Sequence, residues 1–129
     1  MRTLVIEDDY VSGKVIKKML SSYGECDVAA TGKKGLEMFF SAVDSGNNYD
    51  VICLDIMMPE MDGHEVLKRL RAGEEKRGVI NSVKIIMTSA LGDFDNIKEA
   101  YREQCEDYIV KPIEKYKIEA ALRKLELID

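Results

Sequence analysis

The fold of this chain is indicated most clearly by residues 50–63, DVICLDIMMPEMDG. The apolar run VICL has the composition of a buried β-strand, and it ends in a single carboxylate, Asp55. Pro59 and Gly63 then mark a loop that leads into the next helical pattern. In an open parallel sheet, ligands and chemistry collect beyond the carboxyl ends of the strands. A lone carboxylate in that place predicts a site for a metal ion, a phosphoryl group, or both.

Strand-like and helix-like patterns alternate along the chain on both sides of this stretch. The short apolar runs that predict strands are residues 4–6, 28–30, 51–54, 83–87 and 108–110. Apolar residues at helical spacing follow each run; the third predicted helix extends through Leu70, and the fourth contains Phe94 and Tyr101. Residues 72–82 are charged and contain two glycines, which predicts a mobile surface loop. Five strand–helix units in strict alternation predict an α/β domain with a parallel sheet between two helical layers.

Bulk properties exclude several classes of protein. The 129 residues suit one domain, 1–129, and we see no linker, low-complexity tract or output module. The net charge is −5 and no Lys/Arg run exceeds two residues, so we expect no nucleic-acid partner. Without a long apolar span or a signal-peptide pattern, we expect no membrane contact and a cytoplasmic location. Three widely spaced cysteines without a CxxC motif predict buried, reduced thiols.

Polar side chains recur where the predicted strands end. These positions are Glu7-Asp8-Asp9, Asp55, Thr88-Ser89 and Lys111. A doubly wound sheet places the carboxyl ends of its strands along one edge, so carboxylates, a hydroxyl and an ammonium would share one crevice. Mg²⁺ would relieve the repulsion between such carboxylates and would accept phosphate oxygens as further ligands. Asp9 is better explained as the N-cap of the first helix.

At these same positions the chain resembles a response-regulator receiver domain, the CheY-like module of two-component signalling. The matching segments are residues 4–9 (LVIEDD), 50–63, 85–90 (IIMTSA) and 107–112 (DYIVKP). The resemblance covers the chain from end to end. The resemblance implies a (βα)5 flavodoxin-like three-layer sandwich with a five-stranded parallel sheet in the order 2-1-3-4-5.

The resemblance also implies a role for each acidic residue of the crevice. Asp55 matches the aspartate that accepts a phosphoryl group from the phosphohistidine of a sensor histidine kinase or phosphotransfer protein. Asp8 matches the residue that binds Mg²⁺ directly, and Glu7 the neighbour that acts through metal-bound water. Met57 would contribute its backbone carbonyl to the metal. Mn²⁺ and Ca²⁺ are expected substitutes for Mg²⁺ in this set of ligands, which includes Asp55 itself.

Other matching positions concern the phosphoryl oxygens and the switch. Ser89 matches the hydroxyl residue that binds the phosphoryl group, because Ala90 follows it in the family pattern; Thr88 stands one place early. Lys111 matches the lysine that pairs with the phosphoryl oxygens, and its bond to Pro112 is cis in the family. Tyr108 matches an aromatic residue that changes position on activation.

The resemblance also implies output through a protein contact on the face formed by the fourth helix, fifth strand and fifth helix. The candidate residues on this face are Asn96, Tyr101, Tyr108, Lys115 and Tyr116. The fifth helix lacks the Arg/Glu pattern of receivers that dimerise, which favours a monomer. The resemblance implies a stand-alone switch, in chemotaxis, motility or similar signalling, that catalyses only its own phosphorylation and slow autodephosphorylation and is otherwise not an enzyme.

Two apolar residues depart from the usual family pattern. Met57 lies two positions after Asp55, and Leu91 two positions after Ser89, where polar or acidic residues are frequent in the family. Bulky apolar side chains hinder the water that hydrolyses an acyl phosphate, so a long-lived phosphorylated state is predicted. His64, the only histidine, is expected to be an exposed residue at the start of the third helix.

Other functions remain open or fail on particular residues. A phosphorelay intermediate would use the same site and pass the group to another histidine, and the chain could be a receiver fragment of a larger regulator. A flavodoxin-type enzyme needs a Ser/Thr/Gly-rich phosphate loop after the first strand, where Glu7-Asp8-Asp9 is its electrostatic opposite. A haloacid-dehalogenase-type phosphatase needs an aspartate where Met57 stands.

Overall fold

Five parallel strands form the centre of the molecule. The computed structural model describes residues 1–90, Asp95, Lys98 and residues 105–129. The strands are β1 (Thr3–Ile6), β2 (Cys26–Ala29), β3 (Val51–Asp55), β4 (Lys84–Ser89) and β5 (Asp107–Val110). They stand in the order β2-β1-β3-β4-β5, and each neighbouring pair is parallel. The parallel sheet and the strand order predicted from the sequence are confirmed.

Helices cover both faces of this sheet. Within the described ranges they are α1 (Tyr10–Leu20), α2 (Gly32–Asp44), α3 (Gly63–Lys76) and the C-terminal helix (Lys115–Lys124). Apolar side chains of α2 and α3 pack in one cluster with Leu4, Ile52 and Ile85 of the sheet. Those of α1 and the C-terminal helix pack in a second cluster with Val5 and Ile86. Successive strand residues enter opposite clusters, which explains why the central strands are apolar throughout rather than alternating.

The loop predicted at residues 72–82 was wrong at its first residues, which belong to helix α3 in the structure. Helix α3 continues to Lys76 and includes Gly73, whose missing side chain lets the Phe40 ring lie against the helix. Glu74 is buried and its carboxylate accepts a hydrogen bond from the Val83 amide at 2.8 Å. Some of the charged residues that suggested a solvated loop therefore belong to an internal ion-pair network.

The second strand is also displaced from its predicted bounds of 28–30. It runs from Cys26 to Ala29, because its backbone pairs with β1 in the register that joins Thr3 to Cys26 and Ile6 to Ala29. Asp27, a residue disfavoured in strands, is accommodated because its carboxylate accepts a hydrogen bond from the Tyr49 hydroxyl at 2.6 Å. Tertiary pairing outweighs the local sequence preference here.

The starts of α1, α2 and α3 lie close to the carboxyl edge of the sheet, and each of these three is capped by a side chain. Asp9 accepts a hydrogen bond from the Ser12 amide, which confirms its predicted role as the N-cap of α1. Thr31 and Asp62 cap α2 and α3 in the same way. Because a side chain satisfies a free amide at each of these helix starts, the loops that lead into the helices are held at the sheet edge.

Three further predictions from the sequence concern the fourth helix, the burial of the cysteine thiols and the lack of a membrane-spanning segment. Asp95 and Lys98 are helical, whereas Phe94 and Tyr101 lie outside the described residues. The three cysteines are buried and free, as predicted, and burial raises the pKa of the Cys53 thiol to about 12. In the described part of the chain, no helix has the length and apolar character needed to cross a membrane.

Candidate functional site

Asp55 lies at the sheet edge, at the end of a fully buried strand. All five residues of β3 are buried, and Asp55, the last of them, is 3% exposed. One carboxylate oxygen, Oδ1, accepts a hydrogen bond from the Met57 amide at 3.3 Å and lies 3.3 Å from the Lys111 ammonium. Burial raises the pKa of Asp55, although Lys111 opposes the shift. The carboxylate is thus held in place by the backbone and a neighbouring cation.

Glu7 lies beside Asp55 at the end of the adjacent strand, β1. It is 2% exposed, and its Oε1 accepts a hydrogen bond from the Asp9 amide at 3.2 Å. Burial and the nearby Asp55 charge raise the pKa of Glu7 to about 7. Asp8, the next residue, is exposed at the mouth of the site. Two buried acids and one accessible acid therefore share this edge.

This acidic cluster has the donors that a hard divalent cation prefers. One carboxylate oxygen each from Glu7, Asp8 and Asp55 lies within 4.8 Å of the others. Burial raises the pKa of both Glu7 and Asp55, and the nearby Asp55 charge adds to the shift at Glu7, which makes the charged forms of this pair costly. Oxygen ligands with an open, solvated side suit Mg²⁺, which retains several waters in protein sites. The residues present fit such an ion.

Lys111 is the cation that joins these carboxylates. It follows β5, and its Nζ lies 3.3 Å from Glu7 Oε2 and 3.3 Å from Asp55 Oδ1. Burial alone would lower the pKa of Lys111, but the two carboxylates outweigh it and the pKa is raised. Its backbone amide donates to the Ser89 carbonyl at 2.7 Å, and the following peptide bond, to Pro112, is cis. The ammonium is therefore fixed over the acidic pair.

Ser89 and Thr88 end β4, next to Asp55 in the sheet. Both are buried, and neither hydroxyl has a hydrogen-bond partner among the described residues. They project from opposite faces, because side chains alternate along a strand. Ser89 lies two residues beyond Met87, so it shares the face of the α2–α3 cluster with Tyr108, the strand partner of Met87. This arrangement places the predicted phosphoryl-binding hydroxyl and the predicted switch ring on one face.

Residues expected at the output face are only partly described. Tyr116 is 65% exposed and Lys115 is also exposed, whereas Tyr108 is partly buried. Tyr108 and Tyr116 line a groove of about 390 Å³ between β5 and the C-terminal helix. Asn96, Tyr101 and the predicted rate-tuning residue Leu91 lie outside the described residues.

His64 differs from its sequence-based expectation. It was expected to be exposed, but it is buried, with 7% of its surface accessible. Gly63, the first residue of α3, lies so close to Asp55 and Ile56 that a Cβ there would be 2.5 Å from the Asp55 carbonyl oxygen. This close approach draws the first turn of α3, including His64, against the end of β3. The dipeptide Asp62-Gly63 indicates where the helix starts, but it does not indicate how deeply His64 is buried.

Comparison with known proteins agrees with the geometry. The family model of the response regulator receiver domain matches residues 3–123. The chemotaxis protein CheY of Listeria monocytogenes is 33% identical over 126 residues, which are 96% of this chain and 98% of that protein. The regulatory protein VanRB of Enterococcus faecalis is 30% identical over 125 residues, or 97% of this chain. This chain spans 50% of VanRB and 7% of hybrid signal transduction histidine kinase L of Dictyostelium discoideum, which is 32% identical over 95% of this chain.

Solved structures give the same result. A CheX–CheY–BeF3–Mg complex from Borrelia burgdorferi superposes with a TM-score of 0.82 at 25% identity, covering 99% of this chain and 90% of that one. CheY4 of Vibrio cholerae has the same fold, with a TM-score of 0.79 at 22% identity over 95% of this chain and 96% of that one. The family match, the relatives and the strand-end residues agree, and the chain belongs to the response regulator receiver domain family of two-component signalling.

Proposed function

We propose that this receiver domain accepts a phosphoryl group on Asp55 and thereby switches a downstream protein partner. The observation that best supports this is the position of Lys111, whose ammonium lies 3.3 Å from both Asp55 and Glu7 at the end of the sheet. A buried carboxylate beside a fixed cation suits a group that gains negative charge during the reaction. The phosphoryl donor would be the phosphohistidine of a sensor kinase or of a phosphotransfer protein.

In the proposed reaction, a carboxylate oxygen of Asp55 forms a bond to phosphorus while the phosphorus–nitrogen bond of the phosphohistidine breaks. The imidazole leaves with the electron pair of that bond. Lys111 neutralises charge on the phosphoryl oxygens, and the Ser89 hydroxyl donates a hydrogen bond to one of them. Because a carboxylate is a modest nucleophile, these positioned donors account for the rate rather than a strong base.

Glu7, Asp8 and Asp55, with the backbone carbonyl of Met57, are the groups that would hold Mg²⁺. The ion would act as a Lewis acid that offsets charge on the transferred group. Glu7 and Asp8 have a second task in this proposal, since they reject anions from the site unless the cation is present. Removal of divalent cations with EDTA is therefore expected to abolish phosphorylation.

The switch would run from Ser89 to the output face. When the Ser89 hydroxyl turns toward the phosphoryl group, the space that it leaves on the α2–α3 side can admit the Tyr108 ring. Tyr108 and Tyr116 line the groove beside the C-terminal helix, where a partner protein would detect the change. The partner is proposed to belong to a cytoplasmic chemotaxis, motility or similar signalling pathway, and the domain is proposed to act as a monomer.

Incubation with acetyl phosphate and Mg²⁺ tests the proposal directly. Intact-protein mass spectrometry is expected to detect one added phosphoryl group in the wild type and none in Asp55→Ala. Asp50→Ala is the matched control, because Asp50 is an exposed carboxylate at the opposite end of the same strand. Equal labelling of Asp55→Ala and wild type would refute the assignment.

The lifetime of the phosphorylated state is expected to depend on Met57. Its side chain is 63% exposed, so Met57→Asn leaves the fold intact while it replaces an apolar group beside Asp55 with one that can orient water. We expect hydrolysis to accelerate by roughly two- to tenfold, which corresponds to about 0.4–1.4 kcal/mol of barrier. Decay of the phosphorylated protein after removal of the donor measures this rate, and an unchanged or longer lifetime would contradict the idea.

A phosphorelay intermediate is the second candidate function. Hybrid kinase L of Dictyostelium discoideum and the osmosensing kinase SLN1 of Saccharomyces cerevisiae contain segments 32% and 30% identical to this chain. Transfer of the phosphoryl group from Asp55 onto a histidine phosphotransfer protein, faster than hydrolysis, would favour the relay. Such relatives also leave room for the chain to be a receiver fragment of a larger regulator.

A further inference from the structure

Thr88 has a buried hydroxyl with no role in the site as described so far. The residue is 3% exposed, and its Oγ1 has no hydrogen-bond partner within the described ranges. An unpaired buried hydroxyl destabilises the folded state, and most buried polar side chains in native proteins do have a partner. An unpaired buried hydroxyl therefore either lowers the stability of the fold without serving a function, or has a partner that is absent in the resting state.

Sheet register places this hydroxyl next to the phosphoacceptor. Thr88 on β4 is the direct register partner of Asp55 on β3. Adjacent strands are about 4.8 Å apart, and register partners project from the same face of a sheet. Cys53 and Ile86, two residues before Asp55 and Thr88, both belong to the cluster beneath α1 and the C-terminal helix. Thr88 and Asp55 therefore extend from that same face, side by side.

Glu7 and Lys111 extend from this face as well. Glu7 lies two residues beyond Val5, and Lys111 two residues beyond Ile109, and both apolar residues belong to the same cluster. Ile109 is the register partner of Thr88 on its other side and offers no hydrogen-bonding side chain. Of the two side chains that flank Thr88 on neighbouring strands, only the Asp55 carboxylate can accept a hydrogen bond.

At rest, Asp55 Oδ1 accepts a hydrogen bond from the Met57 amide and lies 3.3 Å from the Lys111 ammonium, and the Glu7 carboxyl also shares a hydrogen bond with Asp55. A phosphoryl group adds charged acceptor oxygens at this point, and hydrogen bonds to charged acceptors are the stronger kind. A threonine hydroxyl needs only rotation about one side-chain bond to turn toward a new acceptor. The resting structure therefore places beside Asp55 a hydroxyl donor that makes no hydrogen bond within the described ranges.

We propose that Thr88 is a second hydroxyl donor of the phosphorylated state, unpaired at rest and hydrogen-bonded to the Asp55 acyl phosphate after transfer. This rests on the proposed function of Asp55 as the phosphoacceptor. Ser89 and Thr88 would then approach the phosphorylated site from opposite faces of β4. Thr88 stands one position before Ser89, the residue that matches the family pattern, so the sequence did not indicate this role for it.

The test compares Thr88→Val, which keeps the shape but lacks the hydroxyl, with Thr88→Ser, which keeps the hydroxyl. Binding of beryllofluoride with Mg²⁺, an analogue of the phosphoryl group, is measured by NMR titration. We expect Thr88→Val to bind about tenfold more weakly than wild type, as the loss of one charge-assisted hydrogen bond implies, and Thr88→Ser to bind like wild type. Thr3→Val is the control, because Thr3 is a buried threonine at the opposite end of the sheet.

A thermal midpoint measured without ligand separates this role from a structural one. Thr88→Val is expected to melt at the same temperature as wild type or higher, since it removes an unpaired buried hydroxyl; Thr88→Ala repeats the comparison should valine prevent folding. Wild-type affinity in Thr88→Val, an equal loss in Thr88→Ser, or a clearly lowered midpoint would overturn the inference. Failure of the proposed function itself looks different, because wild type would then not bind the analogue or Asp55→Ala would bind it equally.

Discussion

Alanine in place of Gly63 is expected to lower the free energy of unfolding by about 3 kcal/mol, at the upper end of the cost of overpacking. A Cβ at this position would lie 2.5 Å from the Asp55 carbonyl oxygen and 2.7 Å from the Ile56 Cα. Both are backbone atoms at the end of a buried strand, so a side-chain rotation cannot relieve the overlap. Either α3 or the end of β3 must move, and the carboxylate of Asp55 moves with the strand.

Urea denaturation measures this loss, and Gly13→Ala is its control. A Cβ at Gly13 would meet only a methyl group of the Val28 side chain, at 3.1 Å. In a helix interior, alanine is more favourable than glycine by about 1 kcal/mol, so Gly13→Ala is expected to be as stable as wild type or slightly more stable. We also expect Gly63→Ala to lose phosphorylation by acetyl phosphate. Equal denaturation midpoints for the two variants would show that the close approach does not require glycine.

Removal of the Glu74 carboxylate is expected to destabilise the fold by about 3 kcal/mol, the cost of breaking a buried ion pair. Glu74 is 3% exposed, and its Oε1 lies 2.7 Å from Nη1 of Arg71. Its Oε2 accepts the Val83 amide at 2.8 Å, just before β4. Arg71 also donates to the Val83 carbonyl and to both carboxylate oxygens of Glu106. Glu74→Ala would therefore leave a buried amide and a partly unpaired guanidinium.

Glu75→Ala provides the control, because Glu75 is the next residue of the same helix and is exposed. It removes the same charge from nearly the same place, so a general electrostatic effect would appear in both variants. Thermal or urea unfolding is expected to separate them clearly, with Glu75→Ala within about 0.5 kcal/mol of wild type. Similar losses in the two variants would mean that the Glu74 network adds little beyond net charge.

Much of the architecture was predictable because the hydrophobic periods are strong. The apolar run 51–54 favoured a strand buried on both faces, and it occupies the centre of the sheet. The end of α3 was not predicted, since the charged character of residues 72–82 and the glycines Gly73 and Gly78 suggested a loop. Gly73 packs against a ring of α2, and the Glu74 carboxylate accepts the amide of Val83, just before β4; both are tertiary contacts. Local preference does not encode such contacts.

For the site, the sequence indicated which residues meet but not how deeply they are buried. Glu7, Asp8, Asp55 and Lys111 were expected at one edge, and the structure brings them together there. Burial of His64 and the face of each hydroxyl depended on details of packing and register. Thr88 in particular needed the register between β3 and β4, which pairs it with Asp55.

The central claim is that Asp55 itself carries the phosphoryl group, and chemical trapping tests it most directly. The protein is treated with acetyl phosphate and Mg²⁺ and then with borohydride, which reduces an aspartyl phosphate to homoserine, and the changed residue is located by tandem mass spectrometry. Homoserine at position 55, absent when the phosphodonor is omitted, is the predicted result. Homoserine at another position, or a phosphorylated protein with Asp55 unchanged, would contradict the account.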